Sequence, residues 1–295
     1  MEKELTIAEQ LEENRRRDRR RAIGYYTAKY GVAAILAVFF MFPYLYMINK
    51  SLMSGLELAP GNTHFWTQSF QISNYAVVWS FWRNILNTLQ VVFINGIFAP
   101  LTACICAFPL ARHKFAGKKF MFGFIMSTVL LPTSVLMIPQ YFLYTQLGLI
   151  GKLSSQWIGA FWGGGALNIF LVIQFMRSIP KDMDNAARID GANEYQIFLR
   201  IVFPLCFNVF LYMAITMMMG LWMDFQSPLL YLGDAKDQYT VGLAFYYFYE
   251  TEGVAANRQN ELMAMCVVMS LVPMAVFFIF QKNMIGGIKI GGIKA

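Results

Sequence analysis

Six windows of this 295-residue chain contain no Asp, Glu, Lys or Arg: 30–49, 84–111, 120–151, 153–176, 201–223 and 262–281. Each is at least as long as the roughly 20 helical residues needed to cross a hydrocarbon core about 30 Å thick. Lipid offers the backbone no hydrogen-bond partner, so such windows can span only as helices. Composition agrees: 57% of residues are hydrophobic and 14% charged, against about 25% charged in a soluble domain. The expectation is an all-α membrane protein with six transmembrane helices occupying 30–281.

Basic residues orient the bundle. With both termini cytoplasmic, nineteen of the 24 Lys and Arg residues fall in the inside segments 1–29, 112–119, 177–200 and 282–294. Only Lys50, Arg83, Lys152, Lys236 and Arg258 fall outside, a clear positive-inside bias. The net charge of +7 is thereby explained without a nucleic-acid partner. The N-terminal tail, 1–29, ends its polar part in Arg15-Arg16-Arg17-Asp18-Arg19-Arg20-Arg21, a run suited to anionic lipid headgroups. The apolar stretch after it is too long for a signal peptide and lacks a small-residue cleavage pattern, so it reads as a retained first helix. His64 and His113 fall on opposite sides of the membrane, and the four cysteines sit in apolar windows without zinc or redox spacing. No metal site is expected. The chain has no Gly-x4-Gly-Lys-Ser/Thr phosphate loop and no Ser/His/Asp constellation, so no catalytic residue is assigned.

Between the fourth and fifth windows, 180–204 is polar and reads as a helix–turn–helix outside the membrane. Pro180 suits a helix start, Ser178 is a candidate cap, and Asp182 and Asp184 fall where the helix dipole favours negative charge. Asp190-Gly191 is a turn pair in which Asp190 can cap the next helix and Gly191 can take a positive φ. After the turn, Ala192, Tyr195, Leu199 and Val202 share one helical face, and Asn193, Gln196 and Arg200 another.

Asn185-Ala186-Ala187-Arg188-Ile189-Asp190-Gly191-Ala192, followed nine residues beyond Gly191 by Ile201-Val202-Phe203-Pro204, resembles the signature loop of the membrane subunits of bacterial ATP-binding-cassette importers. That loop reads Glu-Ala-Ala, three residues, Gly, nine residues, Ile-x-Leu-Pro; here Asn185 replaces Glu and Phe203 replaces Leu. Further matches extend over nearly the whole chain after Tyr44. They are Asn84-Ile-Leu-Asn87-Thr88, Ala111-Arg112-His113-Lys114-Phe115-Ala116-Gly117, and Pro132 through Ile138-Pro139 to Leu147-Gly148-Leu149. Phe170-Leu171, Ser178-Ile179-Pro180, Trp222-Met223-Asp224-Phe225 and the tail from Gln281-Lys282 to Lys294-Ala295 complete the set. Together they are similar to the carbohydrate branch, and to the smaller permease of maltose-type systems.

The resemblance implies a type I importer permease fold of the maltose/methionine-permease kind in a bacterial plasma (inner) membrane. It implies that Asn185, Ala186, Ala187, Arg188, Asp190, Gly191, Ala192, Ile201 and Pro204 dock a separate ATPase. ATP and Mg2+ would sit on two such ATPase subunits, with no cofactor on this chain. A second related permease would complete a heterodimer, and an extracellular solute-binding protein would deliver a sugar. The 225–261 connection, with its aromatic run 245–249, would meet that binding protein if it lies exposed; a re-entrant interfacial segment is the other reading. The tail 282–295 would reach toward the ATPases.

Polar groups within the spans admit two readings. Asn87, Thr88, Asn95, Asn168, Gln174, Trp222 and Asp224 can wall a path for a hydroxyl-rich solute. Alternatively the span amides and hydroxyls serve interhelical hydrogen bonding. A secondary transporter or a membrane scaffold without an ATPase are the rival functions. A secondary transporter is expected to carry Asp, Glu or His within its spans, and the six windows have none.

Overall fold

A computed structural model describes residues 7–59, 64–250 and 258–291. All regular structure among them is helical. α1 runs unbroken over Ile7–Ser51, so the helix that holds the first apolar window also includes the run Arg15 to Arg21. A 3-10 turn at Ile72–Ala76 and the short α2 (Val77–Ser80) lead into α3, Trp82–Arg112. The third window is divided between α4 (Lys118–Ser127) and α5 (Thr133–Gln146), and the fourth ends in α6 (Ala166–Ser178). α7 (Asp182–Ile189) and α8 (Glu194–Ile197) form the polar helix–turn–helix; a π turn at Phe198–Val202 and α9 (Phe203–Leu205) join it to α10, Phe207–Trp222. α11 (Gln226–Leu232) and α12 (Val241–Phe248) fold between the fifth and sixth windows, and α13 covers Gln259–Gly291.

Four stretches among the described residues are long and apolar enough to cross unaided: Asp18–Ser51, Trp82–Arg112, Ile158–Ser178 and Gln259–Lys282. Two more crossings are bent, by 105° between α4 and α5 and by 69° between the helical run Glu194–Leu205 and α10. Six spans result when each bent pair is one crossing. The first bend falls at Leu131-Pro132: Leu131 is extended, the conformation a following proline imposes.

The fourth window is not one helix. Its first half is two 3-10 turns, and Gly163, Gly164 and Gly165 carry φ of +95°, +66° and +93° before α6 begins. A Cβ on Gly164 would stand 2.1 Å from the Ala99 carbonyl oxygen of α3, so only glycine permits this approach. Irregular backbone at membrane depth is tolerated where protein buries it. Here the Thr102 hydroxyl of α3 donates to the Ala160 carbonyl at 2.8 Å, and the Asn95 amide to that of Gln156 at 3.0 Å.

Two apolar clusters organise the bundle. One joins Ala103, Cys104, Ala107 and Phe108 of α3 to Val172, Ile173 and Met176 of α6 and Val209 and Met213 of α10. The other joins Phe81, Val92, Trp222, Val241 and Phe248 to Leu262, Met265 and Met269 of α13. α1 packs along α13, with the Ser270 hydroxyl donating to Tyr44 Oη at 3.3 Å. Its remaining face exposes Ile35, Val38, Phe39 and Phe40.

The 225–261 connection includes the two short helices α11 and α12. Among its described residues, Tyr231, Leu232, Tyr239, Leu243 and Phe248 are buried, and of the run 245–249 only Tyr249 is exposed. Residues 251–257, which include the acidic Glu252, lie outside the described residues, as do 1–6, 60–63 and the last four of the tail, 292–295. α13 continues in helix past the end of the sixth window to Gly291.

Candidate functional site

The polar helix–turn–helix is built onto the bundle rather than hung from it. Asp182 and Asp184 occupy the first turn of α7 as expected, but Lys181 holds the N-cap position. The Ser178 hydroxyl instead donates to the Phe175 carbonyl at 2.7 Å. At the other end, the Gly191 N–H donates to the Arg188 carbonyl at 3.1 Å and the Ala192 N–H to that of Ala187 at 2.9 Å. These are the two bonds of a Schellman motif, with Gly191 at the left-handed position, φ +83°. Asp190 therefore closes α7; it does not cap α8. That role falls to Asn193, because α8 begins at Glu194. The Asn193 side chain accepts from the Gln196 N–H at 2.9 Å, and the Gln196 side chain accepts from the Asn193 N–H at 2.9 Å, a reciprocal capping box.

The π turn at 198–202 shifts the register of the second helix. The buried residues are Ile197, Phe198 and Val202, joined with Ala187 in the α3–α6–α10 cluster. Tyr195 and Leu199, expected to share a face with Val202, are 71% and 41% exposed. Ile201 is half-buried and Pro204 exposed. The element thus presents Ile189, 87% exposed, and Tyr195 on either side of its turn. Asn185, Ala186 and Arg188 are exposed beside them, while Ala187 faces the core. A capped turn holds these two apolar side chains in the open.

Electrostatics fix the element in place. Glu194 of α8 receives the Arg188 guanidinium in a fork, Nε to Oε1 at 2.9 Å and Nη2 to Oε2 at 3.2 Å. Arg188 Nη1 also donates to the Asn185 amide oxygen at 3.3 Å. Glu194 Oε2 lies 2.9 Å from Nε2 of His113, the residue capping α3. The Arg188 hydrogen bond, reinforced by His113, holds the Glu194 carboxyl below the usual carboxylate range, and Glu194 raises Arg188 in return. Beneath this clasp, Arg112 Nε stands 3.4 Å from Asp184 Oδ2, with side chains 1% and 4% exposed. Arg112 Nη1 donates to the Ile179 carbonyl at 2.9 Å.

The candidate path residues are dispersed. Asn87 donates to the carbonyls of Asp237 and Tyr239, both at 3.0 Å, and Thr88 Oγ1 accepts from the buried Val241 N–H at 2.7 Å. Asn168 donates to the Gly164 carbonyl at 2.7 Å. Trp222 is buried with Nε1 donating to the Met269 carbonyl at 3.0 Å; it also lines an apolar cleft with Leu89, Met218 and Pro273. Asp224 Oδ1 accepts from the Gln226 N–H at 3.0 Å. Of the seven, Gln174 alone is exposed. No cluster of three or more metal-ligating side chains occurs among the described residues.

A family model, the binding-protein-dependent transport system inner membrane component, matches residues 99–289, from the middle of α3 through the helix–turn–helix into α13. The chain belongs to that family. This permease is 29% identical over 272 residues to the melibiose/raffinose/stachyose import permease MelC of Bacillus subtilis, covering 89% of this chain and 95% of that one. It is 27% identical over 268 residues to the arabinooligosaccharide transport permease AraQ of Halalkalibacterium halodurans, covering 88% and 94%. Its fold matches, at a TM-score of 0.73 and 22% identity, a chain of a bacterial ATP-binding-cassette transporter involved in alginate import. That match covers 89% of the permease and 96% of the solved chain. The all-helical type I importer permease fold and the inner-membrane location expected from the sequence follow from these matches, with four to six spans among the described residues.

Proposed function

We propose that the permease is one membrane half of an importer for a sugar or oligosaccharide, driven by a separate ATPase that docks on the α7–α8 element. The observation that carries this reading is the element itself. A Schellman turn and a capping box fix its backbone, ion pairs fix it to α3, and Ile189 and Tyr195 stand exposed at its turn. Such rigidity has a cost in an exposed loop and is useful where a rigid partner must push. The substrate class rests on relatives whose names specify melibiose, raffinose, stachyose and arabinooligosaccharides. A second solved relative of similar fold, at a TM-score of 0.62, is an alginate transporter in complex with a pentasaccharide-bound periplasmic protein.

In this reading both termini and the α7–α8 element face the cytoplasm, following the bias of basic residues. The 225–249 segment faces outward, toward a solute-binding protein. A second permease completes the path, and two ATPases carry ATP and Mg2+. Asn87, Thr88, Asn95 and Asn168 serve packing in this chain, since backbone carbonyls or amides engage each of them.

The test is purification of the tagged permease from its native membrane, followed by reconstitution. An ATPase and a second permease are expected to co-purify. The reconstituted complex should take up labelled oligosaccharide only with ATP inside and loaded binding protein outside. Uptake by the permease alone under a proton gradient would defeat the reading.

A further inference from the structure

We infer that α3 is the connecting rod of this permease, tying the α7–α8 element at one end to the extracytoplasmic 237–241 segment at the other, with Arg112 as its positioning residue. The inference rests on the proposed function and adds a route for the coupling within the chain.

At the cytoplasmic end, two consecutive residues grip two different helices. Arg112, the last residue of α3, holds α7 through Asp184 and the chain before it through the Ile179 carbonyl. His113, the cap, holds α8 through Glu194. Glu194 in turn binds Arg188 of α7, so the contacts close into a ring: α3 to α7, α7 to α8, and α8 back to α3. Displacement of the α7–α8 element relative to α3 must open that ring.

The buried link is a poor choice for stability alone. Arg112 Nε and Nη2 and Asp184 Oδ1 are buried without a hydrogen-bond partner, so desolvation of the pair is incompletely offset. An apolar pair of similar volume commonly does as well or better in such a place. What the ion pair adds is resistance to sliding. Apolar faces slip past one another at little cost, whereas separating two charges in a low-dielectric interior is strongly opposed.

The other end of α3 is pinned by different chemistry. Asn84 and Asn87 donate to the Tyr239 carbonyl, both at 3.0 Å, and Asn87 also to that of Asp237 at 3.0 Å. Thr88 accepts from the Val241 N–H at 2.7 Å. Between the two pins, from Asn84 to Arg112, α3 stays one continuous helix through Pro100 and Pro109, about 42 Å long at 1.5 Å per residue. The other two spans joined to the α7–α8 element are less suited to transmit its motion. α6 stops at the glycine turn, and α10 meets the element through a 69° bend.

The experiment uses the whole reconstituted complex. The double variant Arg112→Met with Asp184→Leu replaces the buried pair by apolar side chains. ATPase content and hydrolysis without binding protein are measured first, so that stimulation is read per docked ATPase. Stimulation by loaded binding protein should fall about 5-fold or more, the low end of ordinary coupling between sites. Hydrogen exchange at 237–243, which should respond to ATP in the wild type, should stop responding in the variant. A purely structural pair would move neither readout in an assembled complex. Wild-type stimulation and exchange response in the double variant, or no exchange response to ATP in the wild type, overturns the inference. Should the double variant not assemble, Glu194→Gln, an exposed change, is read the same way, and unaltered stimulation there overturns it too. Absence of any ATPase from the wild-type preparation defeats the proposed function instead, and is seen before any variant is made.

Discussion

Gly191 offers the sharpest test of the α7–α8 turn, because its replacement changes only backbone preference. Nothing lies within 4 Å of where a Cβ would stand, so a larger side chain meets no clash. The φ of +83° is the whole penalty. An L-residue in the left-handed region loses roughly 1–2 kcal/mol. Asn, which hydrogen-bonds locally and visits that region, loses least, and a β-branched residue is a true outlier there. The expected order of function is therefore Gly, Asn, Ala, Val. At 1.4 kcal/mol per decade, a penalty of about 2 kcal/mol lowers the population of the α7–α8 turn up to ~30-fold against an alternative otherwise equal in energy. The two Schellman bonds, from Gly191 and Ala192 to the carbonyls of Arg188 and Ala187, are the ones lost.

The spans do not touch this position, so Gly191→Val should insert and express normally. The assay is binding-protein-stimulated ATP hydrolysis and oligosaccharide uptake by the reconstituted complex across the four residues. Normal uptake by Gly191→Val would refute the reasoning. So would Gly191→Asn as inactive as Gly191→Val, since the position would then be reserved for close approach by a partner and not for its backbone angle.

Two further outcomes are expected. Thr88→Val keeps the shape but removes the acceptor of the buried Val241 N–H, and leaving such a group unpaired costs about 1–3 kcal/mol. The thermal midpoint should fall and amide exchange at Val241 quicken; an unchanged midpoint would show that the bond contributes nothing. Glu57 binds the Ser54 and Gln68 N–H groups, both at 2.7 Å, and the Ser69 hydroxyl at 3.0 Å, and these bonds, that of Ser54 foremost, bring its pKa from 4.5 to about 2. Because the folded value is depressed, its hold on Ser54, Gln68 and Ser69 is complete above pH 4.5 and lost as pH falls from there toward 2. Glu57→Gln should reproduce at neutral pH the amide-exchange pattern that the wild type shows only near the acid end of that window. A pattern at neutral pH matching the wild type would remove Glu57 from that role.

Much of the frame was legible because membrane crossing leaves so blunt a mark. The charge-free window 84–111 corresponds to α3 at Trp82–Arg112, and 262–281 lies within α13. Lack of charge reports depth, however, and says nothing of direction. It therefore missed the 105° bend at Pro132 and the glycine turn that reduces the fourth helix to Ala166–Ser178. Pro132 and the three glycines were visible as residues. Which carbonyl Gly164 approaches depends on where α3 lies. The turn at Gly191 was legible for the opposite reason: its determinants are all within six residues. The π turn at 198–202 was not, since no residue type specifies it, and so Tyr195 was placed on the wrong side of its helix.

Polar residues gave the least away, because each has a sufficient local explanation. Arg112 counts as one more inside charge, and Asp184 as one more acid at a helix start. Neither account asks for a partner 72 positions along the chain, yet the two meet at 3.4 Å with almost no exposure. The same holds for α3. A stripe of Asn84, Thr88 and Asn95 can face a solute or a neighbouring backbone, and helical periodicity is identical in the two cases. The decision lies with 237–241 and 156, segments whose own sequences show no sign that they return to α3. Once they do, their carbonyls and amides take up the Asn and Thr groups, and the polar stripe becomes an attachment surface. The Arg112→Met/Asp184→Leu variant and Thr88→Val act at opposite ends of that one helix, and only Thr88→Val removes a bond to 237–241 directly.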